Sequence, residues 1–437
     1  MAETRMRGVP PIRRMTLFNS AVLLGAIVSR LANGLALGEP PDGKAYLAAW
    51  TDGSAPYYDS PSAFNRRIGQ NTYAFQLAQT IPLTPYNSTT GAGGPMDAGL
   101  VGRTDTAAAI YLTVYPQAIG RVSELDLRLL ARQLAAYQAA APPRQVFLRF
   151  APEMQGRWMP YGLQPAGFLA LWRRMFDIIK ATAPHTIIVW APNGAMGYPY
   201  GIQLSDVSSK ADQDLLDTNK NGQLDSNDDA YLPYYPGDAY VDWNGISWYW
   251  KGNEYPYRVN QLVPSGYTAG AMTGKTPAGA IGAGGPQTFT SFYDTYCQNK
   301  PCMFSEMGAA FHTNSTTATS PAVSQQSLQQ AWWRDSLTSS TFMNAFPRIK
   351  MFMLFEHEKP EDGGDMRDYR IATDAQVRSA FLDDFQAVQS RFIWADNATV
   401  APNAAGKGAK GSSTRLDRSL GWLLSVAIGS TVLVLDW

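Results

Sequence analysis

Two glutamates are the residues of this chain whose type and position best suit chemistry. Glu153 follows the apolar run 146–150, and Glu306 follows the apolar run 302–305. A carboxyl pair can cleave a glycosidic bond when one group protonates the leaving oxygen and the other attacks the anomeric carbon, with the two about 5 to 5.5 Å apart in retaining enzymes. One carboxyl must then stay protonated and the other ionised, so their surroundings must differ. We expect Arg149 to hold Glu306 ionised, although on spacing alone each glutamate could equally be an ordinary loop carboxylate.

Short apolar runs recur along the chain and are typical of buried strands. Several are separated by segments with helical spacing, clearest at 123–139, 165–181, 321–337 and 375–391. This alternation predicts a single (β/α)8 TIM barrel with loop insertions, whose active site lies at the carboxyl ends of the strands, where both glutamates fall. The eight predicted strands are 45–50, 73–78, 107–114, 146–150, 186–190, 243–250, 302–305 and 349–355.

Three stretches of sequence resemble glycoside hydrolase family 26. They are LRFAPEMQGRWMPYG at 148–162 with the following PAGFLALWRRMFDIIK at 165–180, VWAPN at 189–193, and KPCMFSEMG at 300–308. In that family an E-M-N-G-x-W-x-P-W stretch carries the general acid/base, and a later S-E-F-G-type stretch carries the nucleophile. The resemblance spans about residues 45–395 and implies a retaining (β/α)8 enzyme, in a family of mostly β-mannanases with some enzymes on mixed-linkage glucan or β-1,3-xylan. By matching positions it implies Glu153 as acid/base, Glu306 as nucleophile, Trp158 in the cleft and Tyr249 as a hydrogen-bond partner of the nucleophile.

The chain departs from the family pattern at three places. Many mannanases have His where this chain has Pro152, and Asn where it has Gln155. On the eighth strand a Trp usually forms the floor of the cleavage subsite, whereas Phe355 stands nearest that place here. The reaction class is therefore better supported than the substrate class. Further cleft candidates, each of which could instead be a core residue, are Trp190, Asn193, Trp248 and Trp250.

The composition favours an uncharged ligand over a nucleic acid. The chain has 437 residues, with 36 basic and 36 acidic side chains, so it lacks the basic excess typical of polynucleotide-binding domains. Only 16% of residues are charged whereas 12% are aromatic, a surface composition that suits sugars. Three scattered histidines exclude a zinc site built from a histidine cluster, so we expect no cofactor for catalysis.

An EF-hand-like calcium pattern lies ahead of the sixth predicted strand. It has oxygen-bearing side chains at loop positions 1, 3, 5 and 9, glycine at position 6 and a carbonyl at position 7. Position 12 is Asp rather than Glu, which lowers the expected affinity to a level that suits an extracellular setting. The pattern predicts a structural Ca²⁺, and the alternative is an Asp/Asn-rich turn without metal. The predicted ligands are Asp217, Asn219, Asn221, Gln223, Asp225 and Asp228.

Both ends of the chain have the features of sorting signals. Residues 1–37 combine a basic start, an apolar run at 15–28 and small residues, as a signal peptide does; an uncleaved signal anchor is the alternative. Residues 396–413 form a small, polar stalk, and 414–437 end in an apolar run typical of a GPI-anchor signal, with a membrane span as the alternative. The catalytic domain is then 38–395. An oxidising compartment would allow a disulfide between Cys297 and Cys302, and glycosylation sequons lie at Asn87, Asn314 and Asn397.

The sequence thus predicts a secreted, fungal-type, GPI-anchored monomer acting at the cell surface or wall. Its predicted activity is that of a retaining endo-β-glycanase using a two-glutamate double displacement, with β-1,4-mannan as the default substrate. The alternatives are a non-catalytic carbohydrate-binding wall protein, a glucanase or xylanase, and a transglycosylase on the same barrel.

Overall fold

A closed barrel of parallel strands forms the centre of the protein. The computed structural model describes residues 34–85, 93–280, 287–315, 322–361 and 364–398. Strand β1 pairs with both β2 and β9, and this closes the ring and confirms the predicted (β/α)8 fold. The barrel strands are β1 Ala45–Thr51, β2 Ala74–Ile81, β3 Ala109–Pro116, β4 Val146–Phe150, β5 Ile187–Trp190, β6 Trp243–Trp250, β7 Cys302–Ala309 and β9 Ile349–Glu356.

Helices connect the strands, and several of them begin at residues whose side chains cap the first turn. Ser123 forms a reciprocal capping box with Asp126, and Ser324 forms one with Ser327. The predicted helix 321–337 therefore begins only at Gln325, after its cap. The predicted helix 375–391 ends at Phe385, and Gln389–Arg391 forms a separate 3₁₀ turn. The helices are Pro61–Ile68, Gly99–Gly102, Glu124–Gln138, Pro165–Thr182, Lys210–Leu216, Tyr267–Thr273, Phe292–Tyr296, Gln325–Asp335, Ser340–Ala345 and Ala375–Phe385.

Side chains alternate between the barrel interior and the layer under the helices, because successive strand residues point to opposite faces. Phe147 of β4 and Val189 of β5 belong to the interior cluster, together with Met303 of β7. Leu148 and Trp190 belong to the larger outer cluster that packs against the helices. This parity decides which residue of each strand can reach a site at the mouth of the barrel.

An insertion extends the carboxyl ends of β7 and β9. Strands β8 Phe311–His312, β10 Glu358–Glu361 and β11 Asp365–Asp368 form a small antiparallel sheet. Its buried carboxylate, Glu361, is bound by Lys251 at 2.8 Å and Arg367 at 2.6 Å. The nearby cations hold the pKa of Glu361 well below its usual range despite burial, so this ion cluster fixes the insertion beside the barrel mouth.

Contacts on the opposite side of the barrel fix the segments that lead into it. The predicted disulfide joins Cys297, just after a helix, to Cys302, the first residue of β7. Strand β12, Phe392–Ile393, pairs with the start of β1 at Ala45. Leu37 also contacts the barrel, since its carbonyl accepts the indole N–H of Trp243 at 2.9 Å.

The predicted terminal signals fall largely beyond the described ranges. Residues 1–33 and 399–437, which carry most of the predicted signal peptide, stalk and anchor signal, lie outside them, as does the sequon at Asn87. Across the ranges that are described, none of the helices has the length and apolarity needed to cross a bilayer.

Candidate active site

Glu153 lies in the turn that follows β4, at the carboxyl end of the barrel. Its backbone has a positive φ of 56°, an unusual conformation for a residue with a side chain, and its N–H donates to the Ala191 carbonyl at 2.9 Å. Its side chain is only 1% exposed, and its Oε2 accepts the indole N–H of Trp158 at 3.0 Å. Strained conformations of this kind concentrate at functional sites, and here the surrounding contacts fix the carboxyl at the barrel mouth.

Glu306 lies on β7 itself, and its side chain is 4% exposed. The pairing register of β7 is irregular at this point against both neighbouring strands. Against β6 it shifts between Ile246 and Ser247, and against β9 it shifts between Phe304 and Met307 of β7. Such irregularities re-aim a side chain. The carboxylate accepts hydrogen bonds from Arg149 and from the Tyr249 hydroxyl, the latter at 2.8 Å.

Arg149 connects the two glutamates but contacts them unequally. Interior parity on β4 places its buried guanidinium between them, where it hydrogen-bonds Glu306 and the Ser247 hydroxyl, the latter at 2.7 Å. The nearest oxygen of Glu153 is 3.7 Å from the guanidinium. One buried cation balances one carboxylate, so Glu306 ionised beside Glu153 protonated leaves no net charge in the barrel mouth.

The surroundings of Glu153 favour its protonated form. Burial, followed by the negative charge of Glu306, raises the pKa of Glu153 to about 7, while Arg149 limits the rise. Burial together with the charge of Glu306 raises the pKa of Tyr249 well above its usual value, so its hydroxyl remains a donor. The geometry therefore places a carboxyl with a raised pKa next to a hydrogen-bonded carboxylate, which is the arrangement required for acid-assisted displacement at an acetal carbon.

Aromatic rings line the side of the site next to Glu306. Phe355 meets Tyr249 edge to face, with ring centroids 5.6 Å apart, and it meets Trp50 at 5.4 Å. Trp50 and Phe355 are also direct partners in the β1–β9 register. Phe355 is 6% exposed whereas Trp50 is only partly buried, so Trp50 presents more aromatic surface at this position.

Three tryptophans that we expected in the cleft lie elsewhere. Trp190 is fully buried among aromatic residues, and its indole N–H donates to the Tyr234 carbonyl at 3.0 Å. Trp248 and Trp250 belong to the same outer cluster. Strand alternation is the cause, because Tyr249 occupies the inward position on β6 and its two neighbours therefore point toward the helices. These tryptophans are core residues rather than substrate contacts.

The remaining predicted residues lie near Glu153. Trp158 is partly buried and meets Tyr200 edge to face at 5.1 Å, in addition to its hydrogen bond with Glu153. Asn193 is partly buried, and its backbone exchanges hydrogen bonds with the Gln155 side chain at 2.8 and 3.2 Å. The Gln155 amide is thus occupied by backbone, and it joins the loops that follow β4 and β5.

Strand parity also identifies site residues that the motifs did not indicate. Gln76 on β2 donates to Glu306 Oε1 at 3.4 Å, and Ser247 hydrogen-bonds Arg149. Trp50 follows Tyr46 and Ala48 on the inward face of β1. Once the inward face of each strand is known from the structure, strand alternation places all three in the barrel interior.

The predicted calcium loop is a network of side chains that accept backbone N–H groups. Asp228 Oδ1 accepts from Thr218 and Asn219 at 2.7 and 3.1 Å, and its Oδ2 accepts from Asp225 at 2.9 Å. Asp217 accepts from Asn221 at 3.0 Å. Within the described ranges, no group of three His, Cys, Asp or Glu side chains is arranged to hold a metal ion. A bound Ca²⁺ would therefore have to use the amide and carbonyl oxygens of Asn219, Asn221 and Gln223 beside Asp217 and Asp225.

The asparagines of two of the three sequons lie in exposed positions that the structure describes. Asn314 follows β8, and its amide oxygen accepts the Met366 N–H at 3.0 Å. Asn397 follows β12 and accepts from the Asn71 amide at 3.0 Å.

No protein-family model matches this chain, and no curated protein matches it in sequence. Solved structures match over most of its length. A Cellulomonas fimi endo-beta-1,4-mannanase double mutant has 16% identity and a TM-score of 0.44, over 81% of this chain and 73% of that one. The GH26 domain of an endo-beta-mannanase/endo-beta-glucanase from Prevotella bryantii has 14% identity and a TM-score of 0.42, over 84% and 94%. The YdhT protein from Bacillus subtilis has 14% identity and a TM-score of 0.43, over 82% and 91%.

Proposed function

We propose that this protein is a retaining endo-β-glycanase whose substrate is a β-linked polysaccharide, with β-1,4-mannan the first polymer to test. The observation that carries the proposal is the unequal environment of two buried glutamates around one arginine. Glu306 is hydrogen-bonded by Arg149 and Tyr249, whereas burial raises the pKa of Glu153 to about 7. Trp50, the partly exposed ring on the same side of the site as Glu306, supplies an apolar face on which a sugar ring can stack.

Each residue then has a defined role in two steps. In the first, a Glu306 oxygen forms a bond to the anomeric carbon, the glycosidic carbon–oxygen bond breaks, and the Glu153 proton moves to the leaving oxygen. In the second, the Glu153 carboxylate removes a proton from water, the water oxygen bonds to the anomeric carbon, and Glu306 is released. Arg149 and Tyr249 orient Glu306 and stabilise its carboxylate charge before the first displacement and after the second.

The experiment that tests this proposal is reducing-sugar release from mannan, glucomannan, mixed-linkage glucan and xylan by the purified protein. Glu153→Gln and Glu306→Gln are measured in parallel, and proton NMR of the first products reports the anomeric configuration. We expect turnover on one polymer, loss of activity in both variants, and products that keep the β configuration.

Glu356→Gln is the matched control for these variants. Glu356 is also a buried glutamate at a strand end, and burial likewise raises its pKa to about 7. Its carboxylate, however, accepts the backbone N–H groups of Ile371 and Ala372 at 3.0 and 3.2 Å instead of facing the barrel mouth. This variant should keep its turnover. Binding of a glycan by the wild type with no turnover of any polymer would overturn the hydrolase proposal in favour of a non-catalytic wall-binding protein.

The proposal extends to the setting of the enzyme. We propose that it acts outside the cell as a monomer, held at the surface by a GPI anchor, and that the loop at 217–228 binds a structural Ca²⁺. The sequence features at both termini support the first point, and the EF-hand-like spacing supports the second. Release of the protein from cells by phosphatidylinositol-specific phospholipase C tests the anchor.

A further inference from the structure

Asp52 and His357 meet where the barrel closes, at the carboxyl ends of β1 and β9. His357 Nδ1 lies 3.5 Å from Asp52 Oδ2, and both side chains are almost completely buried. The Ser54 N–H donates to Asp52 at 2.9 Å. Burial would raise the pKa of Asp52, but the contacts with His357 and Ser54 outweigh it and hold the pKa below its usual value. The pair therefore consists of a fixed carboxylate and an imidazole oriented by it.

The imidazole supports an aromatic ring of the proposed active site. The His357 ring is stacked on Phe355 with centroids 4.4 Å apart and an interplanar angle of 15°. Trp50 meets the edge of the stack, 4.8 Å from His357. The His357 carbonyl accepts the Tyr369 N–H at 2.9 Å, and the Tyr369 ring meets Phe355 edge to face at 5.3 Å. Phe355 is thus held on one face by His357 and at its edges by Trp50 and Tyr369.

Phe355 in turn contacts the residue that hydrogen-bonds the nucleophile. Its ring meets Tyr249 edge to face at 85°, and Tyr369 meets the same Tyr249 ring at 5.4 Å. The Tyr249 hydroxyl is 2.8 Å from Glu306 Oε2. Close-packed aromatic groups transmit small displacements, because an interior has few voids to absorb them.

We propose that Asp52 and His357 are a positioning pair, which fixes the Phe355 ring and through it the Tyr249 hydroxyl on Glu306. The inference rests on the proposed function, since it names residues that set the geometry of the same nucleophile. The proposal explains why an imidazole that takes no part in the catalytic steps packs against the aromatic rings of Phe355 and Trp50. His357 Nε2 is buried and has no hydrogen-bond partner among the described residues, so the contact with Asp52 is the polar contact that orients the imidazole there.

The first test is structural and does not depend on activity. Crystal structures of the wild type, His357→Ala and His357→Phe give the distance from Tyr249 Oη to Glu306 Oε2. We expect the 2.8 Å contact to lengthen beyond hydrogen-bonding distance in His357→Ala and also in His357→Phe, which keeps a planar ring against Phe355 but loses the contact with Asp52. His312→Ala is the control, because His312 is equally buried but makes its hydrogen bond to the Lys251 carbonyl. An unchanged Tyr249–Glu306 contact in His357→Ala overturns the positioning pair, whatever the enzyme hydrolyses.

The second test is a kinetic double-mutant cycle with Tyr249→Phe. Misplacement of a catalytic group by a fraction of an ångström to 1 Å costs about 10- to 100-fold in rate, so we expect a loss of that size in kcat for His357→Ala with little change in KM. The same substitution in the Tyr249→Phe background should cost less than about twofold, because the positioned hydroxyl is already gone. Asp52→Asn, which keeps an oxygen acceptor, should recover most of the loss seen in Asp52→Ala. Equal losses in both backgrounds would indicate a purely structural role, whereas a wild type without turnover counts against the proposed function and leaves the crystallographic result to decide the pair.

Discussion

The guanidinium of Arg149 stands 3.7 Å from the nearest carboxyl oxygen of Glu153, a distance that allows ionic attraction but no hydrogen bond. The same group hydrogen-bonds Glu306 directly. One arginine therefore stabilises the charge of one glutamate more than that of the other, and this difference supports the proposed roles of Glu153 as acid and Glu306 as nucleophile.

The first prediction concerns the pH dependence of catalysis. The acid must be protonated, so activity should fall as the pH rises through the pKa of Glu153, which burial and the charge of Glu306 raise to about 7. We expect the basic limb of the kcat/KM profile near that value. Glu153→Gln should remove the limb and lower turnover on polysaccharide by about 100- to 10,000-fold. Aryl glycosides with acidic leaving groups need no proton, so their first step should be much less affected. An unchanged basic limb in Glu153→Gln would assign it to another group.

The second prediction concerns Arg149 itself. In Arg149→Met the carboxylate of Glu306 loses its buried counter-ion, so the pair should share one proton up to a higher pH. We expect kcat to fall by at least about 100-fold and the basic limb of the profile to move to higher pH, because Arg149 no longer limits the rise in the pKa of Glu153. Arg149→Lys, which restores the charge without the planar fork, should recover part of the activity. If the profile of Arg149→Met kept the wild-type limbs, the proposed role of this cation would be wrong.

The sequence was sufficient for the barrel and for the motif-bearing residues, but not for the aromatic wall. The eight apolar runs overlap the eight barrel strands because parallel strands buried on both faces are continuously apolar, although β7 extends beyond the predicted 302–305 to Ala309 and includes Glu306. For the same reason such a run does not show which residue faces inward. The prediction that Trp190, Trp248 and Trp250 line the cleft is therefore wrong. The motif around Tyr249 correctly predicted that this side chain faces Glu306 in the barrel interior. Strand alternation then directs Trp248 and Trp250 toward the helices.

Contacts between distant segments could not be read from the sequence. Trp50 and Phe355 are over 300 residues apart in the chain, and only closure of β1 on β9 pairs them. The short strands β8, β10 and β11 form an insertion that carries no motif, and their position depends on the buried Glu361 cluster. Apolar periodicity contains no information on such an ion cluster.

The third prediction concerns Trp50 as a substrate contact. Trp50 presents more aromatic surface than its partner Phe355, so Trp50→Ala should weaken binding of an oligosaccharide by about tenfold, equivalent to ~1.4 kcal/mol. Trp50→Phe should recover part of the affinity because it keeps an apolar face. Calorimetric titration in a Glu306→Ala background measures binding without turnover. Trp190→Phe is the control, because Trp190 is a core residue and its replacement should leave affinity unchanged even if stability falls. Equal affinities for wild-type Trp50 and Trp50→Ala would exclude it from the subsite.

The fourth prediction concerns stability at high pH. Burial raises the pKa of Glu356 to about 7, above the value of an unfolded-state glutamate near 4.5. A carboxyl whose pKa is raised on folding favours the folded state fully below the unfolded value, and that contribution is lost as pH rises through the folded value. Glu356→Gln should therefore resemble the wild type at pH 4 and become the more stable of the two by pH 8, by on the order of 3 kcal/mol. If the Tm of the two proteins changed with pH in the same way, the raised pKa of Glu356 would be wrong.

The last prediction concerns calcium at the 217–228 loop. Asp217 accepts the backbone N–H groups of Asn221 and Gly222 at 3.0 and 2.9 Å, and an asparagine oxygen could replace one of these acceptors while removing the charge. If the loop binds Ca²⁺, the metal stabilises the folded state according to its concentration relative to Kd, and the wild-type Tm should rise when calcium replaces chelator. Asp217→Asn should lose most of that rise while its Tm in chelator stays close to the wild-type value.

Asp228→Asn is the contrasting variant, because Asp228 organises the loop backbone and its loss should lower Tm in both conditions. A wild-type Tm that does not respond to calcium, with no calcium found by elemental analysis, would leave the loop as a hydrogen-bonded turn that positions the segment ahead of β6.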